Sequence, residues 1–425
     1  MRIPAVFLFL IFSINFIPAN EPNLLDIDIN NLESIFNEPA AEIPEQQENN
    51  TQIISNIRKR GIDINASYEF QGAINPGWDV YPWELNGSEN FSWALGVLMR
   101  STLDINAQIS EALRVKSVFK VEIPYETKGI LFTLGDFFFD YNFFDRVFLR
   151  AGKYELGWGV SPNFGFTNLL SRIAFQQDPP APSSDGPSYI IKFDVPAGIG
   201  GIQLLAQTRV RIIDGQVPTR DFIGFGGKIN LAFRWADFNF GVYYQNFMAT
   251  RGILSVKTSI WDTDFYSEGL VAYNNHSDNT FNFAFNLGFS KGLFNNKLDI
   301  NGELFYNSEG STYYFSPETN FHKEQTSPFP EGFNAALNIL FRADEFWNMR
   351  IFTRFRYGEE SFSIIPGLRI TPLPNIEVYL AVPIALGSKN GIYYTESKNI
   401  QGDHRPFSIV LYVSIKGSVQ ASQYY

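Results

Sequence analysis

Few residues of this chain have the type and spacing that chemistry requires. Cysteine is absent, which removes a thiolate nucleophile, a thiolate zinc site, an iron–sulfur cluster and a disulfide framework. The three histidines, His276, His322 and His404, fall in expected loops and show no carboxylate–histidine spacing typical of a metal site. No Ser or Asp is accompanied by a positioned His of the kind an acyl-transfer centre needs. Gly224-Phe225-Gly226-Gly227-Lys228 mimics part of a phosphate loop. Ile229, however, stands where a magnesium-binding Ser or Thr is needed, and a strand follows instead of a helix. It reads as a glycine-softened strand. The sequence nominates no catalytic residue, no metal and no cofactor.

What remains is a set of charges alternating with apolar residues. The basic members are Lys116, Lys120, Arg150, Arg209, Arg211, Lys228, Arg234, Arg350, Arg354, Arg356 and Arg369. The acidic members are Asp63, Glu69, Asp104, Glu122, Asp136, Asp299 and Glu303. Facing a water-filled lumen, such charges select ions and orient dipolar solutes. The competing reading is that they pair with one another and stiffen a wall. The whole chain is acidic, with 44 Asp+Glu against 33 Lys+Arg and a net charge of −11. That balance excludes a sequence-independent nucleic-acid binder, which needs a basic face.

Strands are the elements that must position these charges. In residues 61–72, Ile62, Ile64, Ala66, Tyr68 and Phe70 share one face and Asp63, Asn65, Ser67, Glu69 and Gln71 the other. The alternation recurs at 91–109, 281–290, 298–306, 333–342, 347–356, 376–382 and 407–415. A soluble sandwich also alternates. Here the apolar face carries Phe, Trp and Ile on nearly every strand, while Arg, Asn, Gln and Asp stand at mid-strand opposite. This pattern predicts an all-β chain folded as a closed antiparallel transmembrane β-barrel of about 16–18 strands, which leaves no unpaired backbone in hydrocarbon.

The spacing of the strands supports closure. Long connections are expected at 73–90, 157–186, 213–221, 308–331 and 386–404, and short ones at 111–113, 236–237, 343–345 and 371–374. All the long ones are odd-numbered, so they share one rim, as extracellular loops do in such barrels. Both termini are then expected on the periplasmic side. Residues 248–280 are weakly patterned.

Residues 1–19 have the basic start, apolar core and small residue before the break of a secretory signal peptide. Residues 20–60 form an acidic segment, flexible or briefly helical, with no Lys or Arg before Arg58. Residues 61–425 constitute the barrel.

Arg150-Ala151-Gly152-Lys153-Tyr154-Glu155-Leu156-Gly157-Trp158-Gly159 resembles the Arg-x-Gly-Lys…Trp-Gly strand end of several bacterial outer-membrane porin-like families. Over this stretch Val147 and Leu149 fall in one phase and Tyr154, Leu156 and Trp158 in the other. A bulge at Ala151-Gly152 would return both sets to lipid and point Lys153 and Glu155 inward. The resemblance implies that the following loop, 157–186, folds into the lumen and constricts it, with Asp178 and Asp185 as its acids. Facing Arg350, Arg354 and Arg356, that loop would set a transverse field. Tyr424-Tyr425 resembles the terminal aromatic by which outer-membrane barrels are recognised for insertion, although the last patterned strand stops at Lys416.

The sequence therefore points to a bacterial outer-membrane, porin-like channel for passive diffusion of small solutes. Its expected partners are outer-membrane lipid, the solutes, the barrel-insertion machinery and further copies of itself. A barrel plugged by residues 20–57 that moves hydrophobic or polymeric substrates is the first alternative. A surface adhesin binding through its aromatic loops is the second.

Overall fold

The computed structural model describes residues 60–84, 91–124, 130–154, 156–164, 188–208, 223–245, 250–274, 280–308, 311–315, 322–326, 331–358, 361–387, 391 and 406–424. The expected signal peptide, the segment 20–57, Glu155, Asp178, Asp185, Arg209, Arg211, His276 and His404 lie outside the described residues.

Eighteen antiparallel strands form one closed barrel. The first six are β1 (Gly61–Trp78), β2 (Phe91–Gln108), β3 (Leu113–Pro124), β4 (Leu131–Phe143), β5 (Val147–Tyr154) and β6 (Ser188–Ala197). The next six are β7 (Gly200–Thr208), β8 (Ile223–Ala232), β9 (Asp237–Gln245), β10 (Thr250–Ile260), β11 (Thr263–Asn274) and β12 (Thr280–Leu293). Then follow β13 (Leu298–Asn307), β14 (Gly332–Arg342), β15 (Trp347–Arg356) and β16 (Ser361–Leu373). β17 has two pieces, Ile376–Ala381 and Ile384–Leu386, because Pro383 has no N–H to give the ladder. β18 likewise runs as Phe407–Ser408 and Val410–Tyr424. A separate hairpin, Ser311–Phe315 with His322–Thr326, rises within the long connection after β13.

Each strand pairs with its neighbours in sequence, and β1 closes onto β18 from Gly61↔Tyr424 to Ile74↔Leu411. The last strand therefore does not stop at Lys416, as the sequence pattern suggested. It runs to Tyr424, whose hydroxyl donates to Asp63 Oδ1 at 2.9 Å. The strand outlasts its apolar pattern because backbone pairing with β1 continues beyond it.

The even connections, 109–112, 144–146, 198–199, 233–236, 261–262, 294–297, 343–346 and 374–375, are all short and share one rim. The turn 261–262 has φ 53° at Trp261 and 55° at Asp262, the left-handed pair that suits a two-residue hairpin. Arg234 belongs to the turn after β8, exposed at this rim. Its expected place on the inner wall is corrected: β8 ends at Ala232.

Outward positions are apolar and open. Ile62, Ile64, Tyr68, Phe70 and Ile74 on β1, and Phe281, Phe283, Phe285, Leu287 and Phe289 on β12, are all exposed. No soluble protein leaves so continuous an apolar surface in water, and only hydrocarbon satisfies it.

The expected bulge at Ala151-Gly152 is not there. β5 keeps an unbroken register with β4, Phe143↔Val147 to Phe137↔Lys153, and with β6. The register shift lies instead between β3 and β4, where Ser117 faces Phe137 and Phe119 faces Leu134. Tyr154 consequently points inward, where it is buried, and Lys153 takes the outward register, its ammonium donating to Leu134 O at 2.5 Å. The expectation failed because it assumed that a wet interior has no place for a Tyr and a Trp.

Candidate functional site: residues 156–164 inside the barrel

The interior beside β4–β11 is packed with side chains. Phe138, Tyr154, Ile190, Leu205, Tyr243 and Ile253 form a buried cluster there, joined by Trp158 from the segment that follows β5. Residues 156–164 thus leave the wall and cross the lumen, the beginning of the loop that the sequence assigned to constriction.

Two glycines make the crossing possible. A Cβ on Gly226 would stand 2.8 Å from Trp158 Cη2, and one on Gly241 would stand 3.2 Å from Cε3 and Cζ3. The indole lies in the notch left by these two missing side chains on β8 and β9. Its Nε1–H donates to Gln203 Oε1 at 2.7 Å, which satisfies the one polar atom a buried Trp carries.

Beyond Trp158 the loop is gripped by two carboxylates of the opposite wall. Glu268 on β11 accepts from the N–H groups of Val160 and Ser161. Glu303 on β13 accepts from Ser161 Oγ at 2.9 Å and from the N–H groups of Asn163 and Phe164 at 3.1 and 3.2 Å. Tyr266 OH donates to Glu303 Oε1 at 2.8 Å, and Asn163 Nδ2 donates to Asn301 Oδ1 at 2.6 Å. Phe164 then stacks on Phe305 with ring centroids 5.0 Å apart. A loop backbone inside a barrel has donors without secondary-structure partners, and buried donors left unmade are costly. These carboxylates answer that need. Glu303 is on the inner wall, as its phase predicts, yet it is only 3% exposed and faces the loop rather than water. Glu268 was not anticipated, nor was the buried Arg251 on β10.

Across the barrel, on the inner face of β16–β18 and β1–β3, six charges alternate in sign on six successive strands. Arg369 on β16 pairs with Glu377 on β17. Lys416 on β18 lies 3.0 Å from Glu377 and 3.4 Å from Glu69 on β1. Arg100 on β2 lies 3.7 Å from Glu69 and 2.8 Å from Glu122 on β3. The ladder crosses the closing seam without a break. Of the expected basic candidates, Arg369 is thus paired, as are Lys116 with Asp104 at 3.5 Å and Arg150 with Asp140 at 2.6 Å. Arg150 also lies over the Phe138 ring, 4.3 Å from its centroid. Asp299 pairs with Arg342 near the short-turn rim.

Arg350, Arg354 and Arg356 share the inward phase of β15, next to this ladder. Arg350 Nε donates to Asn338 Oδ1 at 2.7 Å, and Arg356 Nη2 donates to Glu331 O at 3.1 Å. Lys120 is exposed on the inner face of β3, whereas Lys228 on β8 is buried. Among the described residues no group of three or more His, Asp or Glu is arranged to hold a metal ion.

Eighteen strands, one rim of tight turns and a segment, 156–164, held inside the barrel fix the architecture. The fold is that of an outer-membrane porin. No protein-family model and no curated protein matches this chain. Solved porin-fold barrels do. OccK5 (OpdH) of Pseudomonas aeruginosa is 9% identical with a TM-score of 0.51, covering 84% of this chain and 98% of that one. OccK3 (OpdO) of the same organism is 9% identical, TM-score 0.52, with 84% and 96% covered. OccAB4 of Acinetobacter baumannii is 8% identical, TM-score 0.52, with 86% and 100% covered. At such identity the likeness is one of porin fold.

Proposed function

We propose that this porin-fold barrel resides in a bacterial outer membrane and passes small polar solutes by passive diffusion, narrowed by the loop 157–186. The carrying observation is residues 156–164, held inside the lumen by Glu268 and Glu303. The Occ/Opd barrels of the same fold are outer-membrane porins. In this reading residues 1–19 direct export, 20–60 form an acidic periplasmic segment and 61–425 the barrel. The short-turn rim, with both barrel ends, faces the periplasm. Tyr424 serves recognition by the insertion machinery, and self-association remains compatible with a lipid-covered wall.

The solute path runs beside the charged wall, away from the apolar cluster. Arg350, Arg354 and Arg356, facing loop acids Asp178 and Asp185, set a transverse field there. Lys116, Lys120, Arg209, Arg211 and Arg369 line the remainder, with Glu155 at the loop's root. Planar-bilayer recording of the purified chain tests the function: stable ohmic steps are expected, and their absence rejects it. Replacing the three Arg of β15 by Ser is expected to lower the anion-to-cation permeability ratio. An unchanged ratio rejects the field.

A further inference from the structure

Lys228 is 5% exposed, yet it has no anionic partner within hydrogen-bonding reach among the described residues. A buried ammonium normally requires one. The surroundings show why none is supplied. Asp194, Gln203 and Lys228 occupy one row of the register across β6, β7 and β8, and Gly241 continues the row on β9. Asp194 is the carboxylate of that row. Its Oδ2 lies 2.8 Å from Lys192 Nζ, and its Oδ1 accepts from Gln203 Nε2 at 2.8 Å. The Gln203 oxygen, the acceptor next to Lys228, is taken by the Trp158 indole N–H at 2.7 Å. The circuit Lys192–Asp194–Gln203–Trp158 is complete in itself. Lys228 stands beside it, between Gln203 and the glycine that Trp158 covers.

The geometry points to Lys228 as the anchor of an internal binding site for a small inorganic oxyanion, beside Trp158 in the segment that follows β5. Two cations, Lys192 and Lys228, stand at one carboxylate that only Lys192 touches, so the group carries one positive charge in excess, which a monoanion neutralises. The wall supplies the charge, and the Trp158 indole over Gly241 stands at the next position of the row. The Gly224–Lys228 run owes Gly224 and Gly226 to Tyr243 and Trp158, which crowd them, and its lysine to this site. The site does not depend on the barrel conducting.

Phosphate is the probe. Thermal unfolding of the full chain in detergent, followed by tryptophan emission, is measured against phosphate, with gluconate as the counter-anion throughout. A saturable rise in midpoint is expected for the native chain. Lys228→Gln and Lys228→Met are each expected to abolish it. Lys192→Gln is expected to weaken half-saturation by about tenfold, the scale of one charge contact. Lys228→Arg, which keeps the charge, retains the response and covers the case in which neutral variants do not fold. Unaltered phosphate dependence in Lys228→Gln or Lys228→Met overturns the site. So does an equal response to gluconate, or loss of the response in Lys228→Arg. Channel recordings on the same samples report separately whether the barrel conducts.

Discussion

Trp158 and Gly226 touch where a side chain would otherwise stand: the indole Cη2 sits 2.8 Å from the position of a Cβ on Gly226. Wall and loop are therefore closely fitted to one another at this notch. Gly226→Ala is expected to push the indole out of its notch, at about 1–3 kcal/mol, the usual cost of overpacking a filled interior. Gly241→Ala, with 3.2 Å available, is expected to cost less. Urea unfolding and tryptophan emission of both variants measure the order, and equal effects would refute the fit.

Glu303 receives four donors, three of them from the loop. Glu303→Ala leaves those donors buried without an acceptor, and hydrogen bonds to a charged group are each worth about 1.5–3 kcal/mol. The loop is expected to detach. The variant should show larger, noisier conductance steps and faster proteolytic cleavage within 165–187. Glu303→Gln, which keeps one acceptor oxygen, is expected to lie between native and alanine.

Lys416 stands between Glu69 and Glu377. Lys416→Met leaves two carboxylates facing each other across the seam, an expected loss of about 1–2 kcal/mol after allowance for its partial exposure. Adding Glu377→Gln is expected to recover part of that loss. A double-mutant cycle measures the coupling, and simple additivity would mean that the ladder has no energetic reality.

Tyr68 covers Gly417 on the outer side of the same seam, where a Cβ on Gly417 would meet the ring at 2.3 Å. Gly417→Val is expected to displace the ring and lower the temperature at which the barrel unfolds in dodecyl sulfate, while Tyr68→Phe is tolerated. Heat-modifiability on gels reads both.

The sequence carried the outer surface far better than the inner one. On β12 and β13 lipid demands an apolar residue at every second position, so Phe281 to Phe289 and Leu298 to Tyr306 were legible as strands with correct phase. Residues 248–280 were weakly patterned because Ile253 and Leu270 point inward yet pack against protein, as does Tyr266, buried against Glu303, which erases the contrast between faces. Tyr154 and Trp158 misled for the same reason. Glu268 shares the inward phase of Tyr266 and Leu270, and a phase drawn from Phe265 and Val271 would have found it. The pairing of Lys416 with Glu69 was beyond reach, since register between distant strands is not written in either strand alone. Gly226 and Gly241 were visible, but what they make room for was not.

Gly61 finds its partner in Tyr424. The cylinder consequently cannot close until its first and eighteenth strands meet, and any intermediate lacking either is an open ribbon with two unsatisfied margins. Such margins invite edge-to-edge association with other chains.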